Sequence, residues 1–228
     1  NIAASGARIG NGYGIIPNPV DGSVWFANPG YPGNIGRYDP ATEKFEVYEP
    51  PLPGHGPRGI DVDKNGIIWT ALGGSGHLAR FDRSQCTQTY GTGGQCPEGW
   101  TLYETPGPQM KGVPDGPNEG SADFHYYMWV DQFNTSGLGE NWVFVNGTGS
   151  DSVLAFDPEA EQFHILRVPY PQPFYQRGLD GRIDDPDASW KGRGLWVNNG
   201  NDPIKHNLEN GGIGYLVNMQ FRSSPLDH

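Results

Sequence analysis

The 228-residue sequence is poor in basic residues: 15 lysines and arginines stand against 26 aspartates and glutamates, a formal net charge of −11. Affinity for nucleic acid rests on lysines and arginines that neutralise phosphates, so an acidic chain argues against nucleic acid as a partner. The same charge disfavours an anionic membrane surface. No apolar run is long enough to span a bilayer, and we predict no membrane span.

Cysteine is scarce, with only Cys86 and Cys96, ten positions apart in one glycine-rich loop. Two metal ligands or a redox pair are one interpretation, but the spacing is not C-x-x-C and no histidine lies beside them. We therefore predict a hairpin disulfide, which indicates an oxidising compartment, extracellular or periplasmic. The sequence begins at Asn1 rather than at a methionine, which indicates either a removed leader or a piece of a longer protein.

Long helical patterns are also missing, whereas glycine and proline are plentiful, at 35 and 21 residues. They fall between short apolar runs rich in Val, Ile, Trp, Thr and Tyr, which suit β-strands. Residues 58–106 contain four such runs and form the repeating unit of the chain. Four successive strands joined by tight turns predict an antiparallel meander and an all-β fold.

The unit recurs along the chain. The segment DGSVW matches KNGIIW in the unit, and their tryptophans, Trp25 and Trp69, lie 44 residues apart, which is the spacing of propeller blades. Arg37 and Arg80 share one position of the third strand, which indicates a structural role. We predict a single β-propeller or partial propeller domain over residues 1–228, of four-stranded antiparallel blades at about 13–50, 58–106, 124–170 and 174–222.

Four blades leave two arrangements open, a compact four-bladed ring or an arc of a larger propeller. We favour the arc, because both ends of the chain are atypical for the repeat. Unpaired strand edges recruit partners. We therefore expect another protein chain or further blades to cover the open edges of the arc.

The repeat D-x-x-G-x-[IV]-W-[FT], then a glycine-rich turn, [IL]-[GA]-R-[YF]-D and F-x-x-Y-x-x-P, resembles the streptogramin lyase (virginiamycin B lyase-like) propeller family. It is also similar to gluconolactonase-like and NHL-type propellers. The resemblance covers residues 13–170 closely and 174–221 loosely. It implies a seven-bladed propeller in which a magnesium ion and a histidine with nearby glutamates open a cyclic depsipeptide by elimination. Blades of the family often start with Gly-Pro-His-Gly, but Arg58 and Arg177 stand at that histidine position here.

The loops that enter the innermost strands of a propeller gather on one face with those joining second strands to third strands, and that face is the default ligand site. His125 is the candidate catalytic base, with Asp123 beside it. The other candidates are polar residues of these loops that would bind a ligand: His55, Arg58, His77, Asn146, Arg177 and Asn198. Carboxylate and amide oxygens there would suit Mg²⁺ or Ca²⁺, although the pattern identifies no particular metal ligand.

Each candidate also has a structural interpretation. Arg58 and Arg177 recur within an Arg-Gly-[Ile/Leu]-Asp pattern, which is typical of ion pairs that serve the repeat. Asn146 and Asn198 end second strands, where an asparagine suits a turn. His125 would equally suit a buried, hydrogen-bonded position.

Two functions from different classes follow. The first is a secreted or periplasmic binding module that presents a polar loop face to a protein or carbohydrate partner, or to a small-molecule ligand. The alternative is a metal-dependent lyase of the streptogramin lyase type, or a lactone hydrolase, that acts on a cyclic ester with His125 as base. We favour the binding module, because arginine replaces the histidines of the family pattern.

Overall fold

The computed structural model describes residues 10, 12–107, 123, 125–147, 150–168, 176–181, 194–199 and 215–221. Fifteen strands in these ranges form four antiparallel sheets, and the strand order in each sheet follows the chain. The first three sheets have four strands, and the described part of the fourth has three. The predicted all-β propeller architecture is confirmed, and we call the sheets blades 1 to 4.

The strands of blade 1 are β1 (Gly14–Pro17), β2 (Val24–Asn28), β3 (Asn34–Asp39) and β4 (Lys44–Tyr48). Those of blade 2 are β5 (Pro57–Val62), β6 (Ile68–Leu72), β7 (His77–Phe81) and β8 (Trp100–Glu104). Those of blade 3 are β9 (Met128–Asp131), β10 (Trp142–Gly147), β11 (Ser152–Asp157) and β12 (Gln162–Arg167). Blade 4 contains β13 (Gln176–Asp180), β14 (Gly194–Asn199) and β15 (Tyr215–Gln220).

Local side chains specify the turns between strands. In the turn between β5 and β6, the carboxylate of Asp63 accepts hydrogen bonds from the backbone N–H groups of Asn65 and Ile67 at 2.8 and 3.0 Å. Gly66 in the same turn has a φ of +85°, which glycine adopts without a steric penalty. The Asp-Lys-Asn-Gly sequence therefore closes the hairpin.

The hydrophobic core lies between neighbouring blades. Trp25 of blade 1 packs in one cluster with Phe81 of blade 2, and Trp69 of blade 2 packs in another with Phe156 of blade 3. A third cluster joins blade 3 to Leu195 of blade 4. Successive side chains of a strand point to opposite faces of the sheet. An inner blade therefore supplies one set of apolar side chains to each of its two neighbours.

Contacts between blades follow the chain. Strands β1 and β2 lie against β5, β5 lies against β9, and β9 and β10 lie against β13. The described strands of blades 1 and 4 make no such packing with each other, so the described sheets form an open arc. Ile15 on β1 is 71% exposed and Leu216 on β15 is 70% exposed. Within the described ranges, no helix is long and apolar enough to cross a membrane.

The predicted disulfide is present. Cys86 and Cys96 are joined with an S–S distance of 2.08 Å. A short 3₁₀ helix lies on each side of the loop that they close, Arg83–Gln85 before it and Pro97–Gly99 after it. The disulfide therefore fixes the long connection between β7 and β8 of blade 2.

The disulfide loop lies along β4, the outer edge strand of blade 1. The backbone N–H of Glu49 donates to the carbonyl oxygen of Gly93 at 2.9 Å. The side-chain amide of Gln95 donates to the carbonyl oxygen of Val47 at 2.8 Å. The loop therefore covers part of a strand edge that would otherwise be open to pairing with another chain.

Candidate functional site

Loops of blades 2 and 3 converge at one end of the sheets, which we call the mouth. They are the loops that enter β5 and β9 and the loop that joins β6 to β7. They share one end because antiparallel strands place alternate connections at opposite ends of a sheet. The predicted candidates in these loops, or at the start of the strands that follow them, form what we call the mouth cluster: His55, Arg58, His77, Asp123 and His125.

His125 is completely buried, with 0% of its surface exposed. Its Nδ1 lies 2.5 Å from the backbone oxygen of Asn146. A carbonyl oxygen only accepts hydrogen bonds, so Nδ1 carries the proton and donates it. Nε2 then has a lone pair, and it is buried without a hydrogen-bond partner among the described residues. Because nearly all buried polar atoms are paired in folded proteins, this atom is a candidate contact for a ligand.

Burial lowers the pKa of His125, because a charged imidazolium is poorly solvated inside the protein. The hydrogen bond to Asn146 and the charge of Asp123 raise the pKa, whereas the nearby His77 lowers it further. The net shift is downward. His125 is therefore neutral at pH 7, which is the form that a general base or hydrogen-bond acceptor requires.

Asp123 is also buried, with 1% of its surface exposed. The hydroxyl of Ser150 donates to its Oδ2 at 3.1 Å, and Ser150 is in turn hydrogen-bonded to Ser152. Blade 3 thus holds the carboxylate in place from its own third strand and the turn before it. The charge of Asp123 acts on His125, so the structure brings this predicted pair together.

Two further histidines lie beside His125. His77 begins β7, and its Nδ1 is buried without a hydrogen-bond partner in the part of the chain that the structure describes. Burial lowers the pKa of His77, the charge of Glu104 and a backbone hydrogen bond with Ser75 raise it, and His55 lowers it, so that the net shift is downward. The Nδ1 of His55 lies 3.1 Å from the carbonyl oxygen of Pro53. His55 therefore lies close enough to affect the protonation of His77, and His77 close enough to affect that of His125.

A glycine pair allows the histidines to approach one another. A Cβ atom on Gly73 would lie 2.6 Å from the backbone oxygen of His125, and one on Gly74 would lie 2.5 Å from Cδ2 of His55. Both distances are shorter than any ordinary van der Waals contact. Larger residues at these positions would displace the loop between β6 and β7. This dipeptide is a signal of the site that our sequence analysis did not use.

Arg58 lies among aromatic rings from blades 1 and 3. Its guanidinium carbon is 5.3 Å from the ring centre of Tyr13 and 4.8 Å from that of Tyr126, which is within cation–π range. Tyr13 also stacks on Tyr127, with ring centres 5.6 Å apart. We call these four residues the tyrosine–arginine surface. Sequence reasoning identified Arg58 but missed the tyrosines, because the rings meet only across separate blades.

Asn146 and Asn198 make the same backbone contact in blades 3 and 4. The Oδ1 of Asn146 accepts the N–H of Tyr126 at 2.7 Å, and the Oδ1 of Asn198 accepts the N–H of Gly178 at 2.7 Å. Each ties a second strand to the chain at the innermost strand. Arg177 belongs to β13, but its side chain lies outside the described part of the structure. Ligand-binding roles for these three residues stay predictions.

The mouth cluster does not fit the metal site that the family resemblance implies. Among the described residues, no three His, Cys, Asp or Glu side chains are grouped so that they could hold a metal ion. Mg²⁺ and Ca²⁺ prefer six or more oxygen ligands, whereas three of the five residues in the mouth cluster are histidines. We therefore assign no magnesium or calcium ligands here.

No protein-family model matches the chain, and no curated protein matches its sequence. Solved structures do match. Virginiamycin B lyase from Staphylococcus aureus aligns with 92% of this chain and 55% of its own, with a TM-score of 0.56 and 16% identity. A catalytically inactive variant of that lyase with quinupristin aligns over 92% and 55%, with a TM-score of 0.55 and 15% identity.

An auxiliary nutrient binding protein from Bacteroides thetaiotaomicron aligns with 82% of this chain and 44% of its own, with a TM-score of 0.51 and 12% identity. Such low identities establish the fold alone, which is that of a β-propeller protein. At that level the resemblance to the streptogramin lyases is confirmed. The chain spans about half the length of the lyase structures, 55% in each case.

Proposed function

We propose that the chain is a binding module of a secreted or periplasmic β-propeller protein and that the tyrosine–arginine surface is its contact face. The observation that carries the proposal is the position of Arg58, 5.3 and 4.8 Å from the ring centres of Tyr13 and Tyr126. Three blades thus contribute to one surface at the mouth. Tyr13 is 37% exposed, so part of this surface is accessible.

The residue types of this surface suit a protein or carbohydrate partner. Tyrosine and arginine are enriched at the energetic centres of protein interfaces, because each combines a large apolar area with a polar end. Tyrosine rings also offer flat apolar faces to a sugar, while the guanidinium donates to its hydroxyl groups. The nutrient binding protein with the same fold supports ligand binding by this architecture.

The disulfide between Cys86 and Cys96 supports the extracellular or periplasmic location, since disulfides persist in oxidising compartments. The exposed Ile15 and Leu216 mark open faces at the two ends of the arc. Because the chain spans 55% of the lyase structure, further blades or another protein chain are the natural cover for these faces.

A glycan array, followed by calorimetric titration of each glycan that is retained, tests the carbohydrate class. Chemical cross-linking to purified proteins of the same compartment tests the protein class. Arg58→Ala and Tyr126→Ala are each expected to weaken binding by at least about tenfold. Lys44→Ala is the control, because it removes an exposed charge from the start of β4 at the end away from the mouth. Unchanged binding in both mouth variants would exclude this surface as the contact face.

The unpartnered Nε2 of His125 favours a second candidate function, acid–base catalysis on a cyclic ester by a lyase or lactone hydrolase. The neutral imidazole would accept a proton at that atom, and we derive no step through a metal ion. Quinupristin, present in the structure of the inactive lyase variant, is the probe, and its ring opening is followed by chromatography with and without MgCl₂. Ring opening that is lost in His125→Ala supports this function, and an intact probe contradicts it.

A further inference from the structure

A cleft of about 450 Å³ lies between blades 2 and 3. It is bordered by the turn between β5 and β6, the loop between β9 and β10, and the turn between β11 and β12. These connections lie at the end of the blades away from the mouth, because antiparallel strands alternate in direction. The lining residues that matter below are Trp69, Arg80, Thr101, Tyr103, Pro158 and Glu161.

The interface between blades 1 and 2 is an internal comparison for this cleft, because the same aromatic triad packs in both places. The triads are Trp25, Tyr48 and Phe81 between blades 1 and 2, and Trp69, Tyr103 and Phe156 between blades 2 and 3. The Trp–Tyr, Tyr–Phe and Trp–Phe ring centres are 6.0, 4.6 and 5.9 Å apart in the first triad. They are 6.1, 4.5 and 5.8 Å apart in the second.

An arginine of blade 2 pairs with a glutamate of blade 1 beside the first triad. The Nε and Nη2 atoms of Arg83 donate to the two carboxylate oxygens of Glu46 at 2.6 and 2.7 Å. Glu46 also accepts the hydroxyl of Tyr48 at 2.6 Å and lies 3.4 Å from Nη1 of Arg37. One carboxylate above the tyrosine hydroxyl therefore binds two guanidinium groups.

The first difference at the second triad concerns the strand partner of the arginine. Thr101 pairs with Arg80 in blade 2, where Glu46 pairs with Arg37 in blade 1. Threonine has no carboxylate with which to hold a guanidinium group. The side chain of Arg80 is accordingly 32% exposed, whereas that of Arg37 is 7% exposed.

The second difference concerns the cation from the next blade. Pro158 stands two residues after the phenylalanine of its triad, the position that Arg83 has at the other interface. A proline side chain carries no charge and no donor. The carboxylate above the tyrosine is nevertheless kept, because Glu161 accepts the hydroxyl of Tyr103 at 2.8 Å. Among the described residues, the cleft therefore retains the carboxylate beside the tyrosine but has no arginine from the next blade to pair with it.

We propose that this cleft binds the guanidinium group of an arginine side chain from a polypeptide partner, in the place that Arg83 takes between blades 1 and 2. The carboxylate of Glu161 accepts the two N–H groups of that guanidinium, beside the ring of Tyr103. Arg80 is compatible with this arrangement, because Arg37 and Arg83 already share one carboxylate at the other interface.

The charge and the shape of the site favour arginine. Four carboxylates line the cleft beside the guanidinium of Arg80, and they are Asp63, Glu140, Glu159 and Glu161. Lys64 pairs with Glu140 at 2.9 Å, so the carboxylates still outnumber the cations by two. Opposite charges attract more strongly in a partly enclosed site than in bulk water. A planar guanidinium also matches a carboxylate with two parallel hydrogen bonds, which an ammonium group does not.

Titration of N-acetylarginine methylamide into the full chain, followed by NMR of the Trp69 indole N–H and the Tyr103 ring, tests the proposal. We expect saturable shifts of both signals. The citrulline analogue, which has a similar shape and no charge, should bind at least about tenfold more weakly. The absence of saturable shifts, or equal binding of the two analogues, would overturn the proposal.

Variants localise the site. Glu161→Gln should weaken binding of the arginine analogue by at least about tenfold, because the substitution removes the charged acceptor. Glu43→Gln is the matched control, since Glu43 is an exposed carboxylate in the turn before β4 of blade 1, and binding should not change. Equal effects of the two variants would contradict the proposal.

A double variant, Thr101→Glu with Pro158→Arg, rebuilds the glutamate–arginine pair of the first interface inside the cleft. We expect the new arginine to occupy the site and to abolish binding of the arginine analogue. Undiminished binding to the folded double variant would overturn the assignment. If the double variant fails to fold, the comparison of Glu161→Gln with Glu43→Gln decides the question by itself.

Discussion

The blade 1–2 and blade 2–3 interfaces share their aromatic packing and differ in their polar rims. The Trp–Tyr ring centres are 6.0 Å apart in one triad and 6.1 Å apart in the other. The rim between blades 1 and 2 is closed by the two hydrogen bonds from Arg83 to Glu46, whereas the rim between blades 2 and 3 is an open cleft. The aromatic triad therefore packs alike beside a closed rim and beside an open one, so the two rims can differ in function.

The interface between blades 2 and 3 is also held at its inner strands. The Oδ2 of Asp61 on β5 accepts the backbone N–H of Val130 on β9 at 2.8 Å, in a buried position. At the rim, Lys64 pairs with Glu140 at 2.9 Å, but both side chains are about half exposed, at 47% and 56%. Exposed ion pairs contribute little to stability. The rim between blades 2 and 3 can therefore change without loss of the blade contact.

The largest expected effect tests whether the two triads are equivalent. Trp25→Ala and Trp69→Ala should each lower the free energy of unfolding by about 3–5 kcal/mol, because each removes a large buried side chain and leaves a cavity. Both tryptophans are 1% exposed. Guanidinium chloride unfolding followed by circular dichroism measures both losses. A loss for Trp69→Ala far below that for Trp25→Ala would show that the open cleft weakens the second triad.

The next prediction compares the contributions of the two rims to stability. Glu46→Gln should cost about 1.5–3 kcal/mol, because it removes the charged acceptor of the two hydrogen bonds from Arg83. Arg37 keeps its ion pair with Asp21 at 2.9 Å. The matched change in blade 2, Thr101→Val, should stay within about 0.5 kcal/mol, because Thr101 is exposed. Urea unfolding of the two variants measures the difference. Similar losses of unfolding free energy in the two variants would mean that the hydrogen bonds between Arg83 and Glu46 do not stabilise the interface between blades 1 and 2.

The disulfide belongs to the closed interface alone, since its loop lies on β4 of blade 1. Replacing Cys86 and Cys96 by alanine should cost about 2.5 kcal/mol, because a loop of about ten residues is no longer closed in the unfolded chain. Amide hydrogen exchange of Glu49, which donates to this loop, should accelerate. Amide hydrogen exchange of Val130, at the interface between blades 2 and 3, should not change. Equal acceleration of both amides would show that the loop supports the whole arc.

The sequence was sufficient to predict the blades, because alternation of apolar residues is a local signal. The segment predicted as a blade at about 124–170 contains four successive strands, from β9 (Met128–Asp131) to β12 (Gln162–Arg167). Asp123 and His125 were also predicted together, since they lie two positions apart. Their burial and the unpartnered Nε2 of His125 depend on the loops that surround them, and no local pattern encodes these properties.

The tyrosine–arginine surface and the cleft were not predicted, because both arise from side chains that meet across blades. The shared position of Arg37 and Arg80 did indicate a structural role, but their surroundings differ. Aligning the repeats explains this difference. Thr101 occupies the position of Glu46, and Pro158 occupies that of Arg83. A sequence repeat therefore predicts the contacts of an interface only at the positions where the repeats have the same residue type.

The smallest expected effect concerns pH and the carboxylate above each tyrosine. Burial, together with the hydrogen bond and charge of Glu161, raises the pKa of Tyr103 from 10.0 to about 12. Burial and Glu46 raise the pKa of Tyr48 in the same direction. A phenol with a raised pKa in the folded state holds its proton more tightly than in the unfolded chain. Its contribution to stability is therefore complete below pH 10 and is lost as the pH rises toward 12.

The free energy of unfolding, measured in urea from pH 9 upward, should accordingly fall with pH in the wild-type chain. Tyr103→Phe should flatten part of this fall, because the variant has no phenol to titrate at the cleft. Glu161→Gln should flatten less of it, since burial is the largest cause of the shift and remains. Tyr48→Phe provides the same test at the closed interface. An unchanged slope in Tyr103→Phe would mean that the open rim leaves this phenol as well solvated in the folded chain as in the unfolded one.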